Sequence, residues 1–127
     1  MIVVKGGRSK QRSAVHKAAE FAWDYLMPRI SNCDIWIELK KIDDAHGYCM
    51  QIDKREFELE IDKRLKGDDF LTTVFHEMVH VKQGVRKEWQ FDEIIYKTQE
   101  EYYNLPWEVE AYKLQEEILD AYVRKNW

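Results

Sequence analysis

Thr73-Val74-Phe75-His76-Glu77-Met78-Val79-His80-Val81 contains the pattern H-E-x-x-H, and whether it is helical decides how the rest of the chain is read. On a helix, about 100° of turn per residue brings His76 and His80 to within roughly 40° of one another, one turn apart. Two imidazoles so placed can grip one metal ion. Glu77 then projects to the side of the pair, where a carboxylate can reach a metal-bound water and take its proton, the layout of a zinc hydrolase. The flanking residues support the helix. Asp68 or Asp69 can cap its start, and Phe70, Leu71, Val74, Phe75, Met78 and Val81 recur at helical spacings. Lys82 and Gln83 close about four turns, with Gly84 as the stop. The competing reading is chance: two histidines on an amphipathic helix, each bonded to ordinary neighbours. Against it, the chain has only 4 His, and two of them fall into this frame.

At 127 residues the chain is expected to form one domain, 1–127, large enough to bury a core without metal or disulfide staples. A metal here is therefore expected to serve function rather than folding. Hydrophobic residues make up 45% and charged residues 35%, the balance of a soluble globular protein. A net charge of −4 gives no overall bias towards nucleic acid or anionic membranes. Locally, Lys5, Arg8, Lys10, Arg12 and Lys17 precede the first acidic residue, Glu20, a basic start that reads as a solvated helix face. Cys33 and Cys49 match no zinc or CxxC spacing and are expected to be buried free thiols. With no stretch resembling a signal peptide or a membrane span, the expected location is the cytoplasm.

In chain order, Met1 to Gly7 reads as a tail or edge extension. Val15, Ala18, Ala19, Ala22, Tyr25 and Leu26 predict a first helix from Ser9 that ends by Pro28, with His16 on its surface. Three alternating runs then predict strands: Ile35, Ile37 and Leu39; Tyr48, Met50 and Ile52; Phe57, Leu59 and Ile61. Tight turns between them imply a three-stranded antiparallel meander. Glu56, Glu58, Glu60 and Asp62 share one face of the last strand, the solvent side of such a sheet. Residues 86–104 have no clean period but carry aromatics from Trp89 to Tyr103, suiting an ordered excursion near the site. Asn104-Leu105-Pro106 starts a final helix running through Trp107, Ala111, Leu114, Ile118 and Val123. The fold class expected is α+β.

A catalytic zinc commonly takes three protein ligands and keeps a fourth position for water. No His or Cys follows His80, and Gln83 and Arg86 stand where the longer motif H-E-x-x-H-x-x-G-x-x-H needs Gly and His. A downstream ligand must then be a carboxylate. With H-E-x-x-H at 76–80 and Glu108-Val109-Glu110-Ala111 downstream, the chain resembles a minimal zincin metallopeptidase of the gluzincin kind, in which a Glu in E-x-x-A on a later helix completes the site. It is also similar to the small SprT-like and ImmA/IrrE-like metallopeptidase domains of phages and bacteria. The resemblance spans about Phe70 to Tyr112. It implies Glu108 as third ligand beside His76 and His80, with Ala111 as the small residue that lets the two helices approach. Glu110 is the alternative, but it lies about 200° further round, so both cannot face one ion. Tyr112 stands where many gluzincins have Asp or Asn, which leaves Glu110 or another carboxylate to orient a ligand imidazole.

The expected chemistry is peptide-bond hydrolysis by a Zn2+-activated water, with Glu77 as general base, acting on a peptide or protein substrate. Tyr96, Tyr102, Tyr103 and His46 are the candidate oxyanion donors. An extended substrate is expected to add to an exposed strand edge above the metal. Two other classes stay open: a non-catalytic zinc-binding regulatory or virion-associated domain, and a basic-armed interaction module whose H-E-x-x-H is accidental.

Overall fold

The computed structural model describes residues 1–88 and 99–126. Among the described residues, β1 (Ile2–Gly6), α1 (Ser9–Leu26), β2 (Asp34–Lys40), β3 (Gly47–Asp53), β4 (Glu56–Asp62), α2 (Gly67–Val85), α3 (Gln99–Tyr103) and α4 (Pro106–Lys125) follow in that order. The class is α+β, with one four-stranded mixed sheet of order β1-β2-β4-β3.

The three-stranded antiparallel meander is corrected on two counts. Met1 to Gly7 supplies a strand, parallel to β2 with Val4 opposite Ile37 and α1 as the crossover. β2 and β4 also run parallel, Ile37 facing Leu59, because β4 inserts between β2 and β3. Only β3 and β4 are antiparallel, and β3 is the return stroke that lets β4 re-enter beside β2.

Ile35, Ile37 and Leu39 on β2 and Phe57, Leu59 and Ile61 on β4 are buried, as their alternation predicts. Each contributes about 1.5–3 kcal/mol of burial. On the opposite face Trp36 and Glu58 are exposed, while Glu60 is half-buried and pairs with Lys40 at 3.2 Å. β3 reverses the expectation. Tyr48, Met50 and Ile52 are exposed on that outer face, and the inner side carries Cys49 and Gln51, whose Nε2 donates to the Gly84 carbonyl at 3.4 Å. As an edge strand β3 is covered only partly, so its apolar alternation marked the wrong face.

α1 packs on β1 and α2, α2 lies on β3 and β4, and α4 packs against α2 and α1. Phe75 of α2 and Phe21 of α1 both meet the Tyr122 ring of α4 edge-on, with centroids 5.5 and 5.1 Å away. α2 carries no side-chain cap, contrary to the expected role of Asp68 or Asp69. Those carboxylates sit in the first turn, where the helix dipole favours negative charge. Nor does Gly84 stop the helix. It lies within it because a Cβ there would stand 2.5 Å from Cε2 of Phe57, so its job is close approach to β4. α4 starts at Pro106 with Leu105 as its cap residue rather than Asn104.

Beyond β4, Arg64 Nη2 donates to Asp62 Oδ2 at 3.0 Å and to the Ile42 carbonyl at 2.5 Å, tying the loop after β2 to the loop before α2. Those hydrogen bonds hold the Asp62 carboxyl below its ordinary pKa. Cys33 is buried and Cys49 half-buried, both free, and burial raises both thiols.

Candidate metal centre

α2 presents His76, His80 and Gln83 to α4, a spacing of four and three residues that keeps them on one stripe. α4 answers with Glu108, Glu110 and Gln115. Its Ala111 is fully buried, a small residue between the helices. Nε2 of His80 stands 2.7 Å from Glu108 Oε1, and Nε2 of His76 stands 3.3 Å from Glu108 Oε2. One ligand atom from each of the three residues can be chosen so that all lie within 4.8 Å of one another. Ligand atoms on a tetrahedral zinc stand roughly 3.4 Å apart, inside that range.

Three features test whether these residues suit a cation. Glu108 is 2% exposed, and its Oε2 is buried without a hydrogen-bond partner, an expensive arrangement for a carboxylate oxygen. The outer nitrogen of each imidazole is spoken for: His80 Nδ1 meets Gln83 Oε1 at 2.7 Å, and His76 Nδ1 meets Gln115 Oε1 at 2.9 Å. An amide oxygen only accepts, so each Nδ1 donates, and each ring is left with Nε2 facing Glu108. A buried carboxylate facing two Nε2 atoms needs positive charge beside it, which either protons on the rings or a bound cation would supply. His76, His80 and Glu108 could hold a metal ion, and two imidazoles with one carboxylate are a donor set that zinc accepts. Burial works against the Glu108 anion, but the two imidazoles beside it outweigh that and lower its pKa to about 2.

Glu77 belongs to a different stripe. It is 5% exposed, and a Cβ added to Gly47 at the start of β3 would lie 3.2 Å from its Oε2 and 2.9 Å from the Glu60 carbonyl. Only a residue without a side chain lets β3 pass so near this carboxylate. Burial raises the Glu77 pKa to about 7, despite the opposing pull of His76.

The other expected site residues separate. Glu110 is not in the ligand cluster: its Oε1 accepts from Lys82 at 2.9 Å and from Gln83 at 3.0 Å. Among the oxyanion candidates, Tyr102 is beside Glu108; burial first, and then that carboxylate, raises its pKa. The Tyr103 ring packs on Tyr102 and Tyr112 at 5.6 and 5.7 Å. His46 is exposed and its side chain makes no hydrogen bond to the cluster; its carbonyl accepts from Asp62 N at 2.8 Å. Tyr96 lies outside the described residues. Tyr112, at the position where many gluzincins carry Asp or Asn, packs its ring 4.6 Å from that of His76.

Gln83 and Gln115 went unread in the sequence as partners of the histidines. The signal was spacing alone: Gln83 follows His80 by three on the stripe of His76, and Gln115 follows Glu108 by seven, two turns on. Compared with family models, with curated proteins and with solved structures, the chain matches none. The resemblance to zincins extends no further than its two motifs.

Proposed function

We propose that this protein is a zinc-dependent peptide hydrolase, its metal held by His76, His80 and Glu108. The observation that carries the reading is the convergence of two imidazole Nε2 atoms on a buried, half-unpartnered carboxylate, with a second buried carboxylate, Glu77, next to the first histidine. A zinc ion held there supplies Lewis acidity and a water acidified towards a pKa of about 7. Glu77 takes a proton at its carboxylate and returns it to the leaving nitrogen of the peptide. The Tyr102 hydroxyl, protonated across the physiological range, lies beside the ligand carboxylate.

β3 supports a peptide substrate in particular. Among the described residues it has a strand neighbour on one side only, and Gly47 brings its backbone to Glu77. An extended peptide pairing with that free edge runs past the proposed base.

The test compares zinc-loaded wild type with Glu77→Gln against a peptide library read by mass spectrometry. Glu77→Gln should keep its zinc and lose cleavage by about 100- to 10,000-fold. Equal cleavage by both would remove Glu77 from the chemistry. A wild type that binds zinc and cleaves no library member would leave the metal centre as a regulatory one.

A further inference from the structure

We propose that Gln83 is a positioning residue that sets the ring orientation of His80 and the placement of Glu108 together, through one amide. The inference rests on the reading of His76, His80 and Glu108 as a metal centre. Gln83 is fully buried. Its Nε2 donates twice, to the Trp107 carbonyl at 2.8 Å and to Glu110 Oε1 at 3.0 Å. Both partners are acceptors only, so the amide cannot turn over without setting oxygen against oxygen. Its Oε1 is thereby committed to His80 Nδ1 at 2.7 Å. That contact fixes the hydrogen on Nδ1 and leaves Nε2 as the ligand atom.

The same two donations grip α4 on either side of Glu108, at residues 107 and 110. Lys82 fastens Glu110 a second time, at 2.9 Å. One side chain of α2 thus spans from a ligand on its own helix to the turn that carries the ligand on the other. His76 is served more loosely. Gln115 accepts from its Nδ1 at 2.9 Å, but among the described residues the Gln115 amide donates only to exposed Glu116, its neighbour in sequence, at 3.2 Å.

The arrangement reverses a common expectation. A carboxylate behind a ligand imidazole usually strengthens it. Here a carboxylate at 83 loses both donations and faces Glu110 with like charge, so Gln83→Glu weakens the centre.

Two measurements test this. Ring 15N shifts of the histidines, in metal-free and zinc-loaded wild type, should report hydrogen on Nδ1 of His80 in both; an Nδ1 without hydrogen in either state overturns the inference. Zinc affinity by chelator competition should fall about 10- to 100-fold in Gln83→Leu and at least as far in Gln83→Glu, and by less than 10-fold in Gln115→Leu. Gln83→Glu binding zinc as tightly as wild type overturns it too. The 15N measurement needs no variant, so it decides even where Gln83→Leu fails to fold. Wild type that takes up no zinc defeats the metal centre itself, while the tautomer reading is still decided by the 15N shifts.

Discussion

α2 meets its two neighbours by different means. Towards the sheet it offers Thr73, Glu77 and Gly84, and the fit depends on missing side chains: Gly47 opposite Thr73 and Glu77, Gly84 opposite Phe57. Towards α4 it offers His76, His80, Lys82 and Gln83, and that fit is made of hydrogen bonds and opposite charges. A contact made by shape fails through excess volume, whereas a polar one fails when a donor or a charge is removed. The proposed base sits on the first seam and the proposed ligands on the second. Metal binding and catalysis should therefore separate under mutation.

The largest separation is expected at Glu108 and Glu77. Glu108→Gln should abolish stoichiometric zinc, seen by elemental analysis after gel filtration, whereas Glu77→Gln keeps it and loses only turnover. Zinc retained at one per chain in Glu108→Gln would mean that the polar seam is not the metal's seat. Next comes Gly47→Ala. The added methyl presses on a strand carbonyl and on Glu77 Oε2, so cleavage should fall about 10- to 100-fold with zinc affinity unchanged. If affinity fell in step with activity, the two seams would not be separable.

Gly84→Val tests shape without chemistry. It drives a branched side chain into the Phe57 ring and should cost about 1–3 kcal/mol in a urea melt, with the zinc stoichiometry of the folded protein intact. An unchanged melt would show that β4 yields easily at this point. Smallest is Asp62→Asn, remote from both seams. The Asp62 pKa is lowered in the folded state, so its contribution is present above its ordinary value of 3.8 and lost as the pH falls through the lower folded one. Asp62→Asn should lower stability at neutral pH and flatten the loss below about pH 4, read from thermal melts across pH. Parallel pH profiles in the two proteins would contradict that.

How much was legible follows from how local each signal is. H-E-x-x-H fixes its own geometry once the segment is helical, and α2 is helical because apolar residues recur through Phe70, Val74, Phe75, Met78 and Val81. The strands β2 and β4 showed in their alternation. Their partnership did not, because pairing is a long-range choice: nothing in Phe57-Glu58-Leu59 says that it lies beside β2 rather than β3 alone. β3 misled because burial at an edge depends on what covers it. Tyr48, Met50 and Ile52 alternate as a buried face would, yet α2 covers the side of Cys49 and Gln51. Glu108 could be ranked above Glu110 only through its match to E-x-x-A. The physical reason for that ranking, Glu110 being occupied by Lys82 and Gln83, needed the packed helices.

X-ray absorption at the zinc edge, on protein loaded with one equivalent of zinc, tests the metal centre most directly. The expected spectrum shows two imidazole nitrogens at about 2.0–2.1 Å with oxygen completing the shell, and one imidazole lost in His80→Ala. A protein that retains no zinc after loading, or a zinc shell unchanged in His80→Ala, would contradict a metal held between α2 and α4.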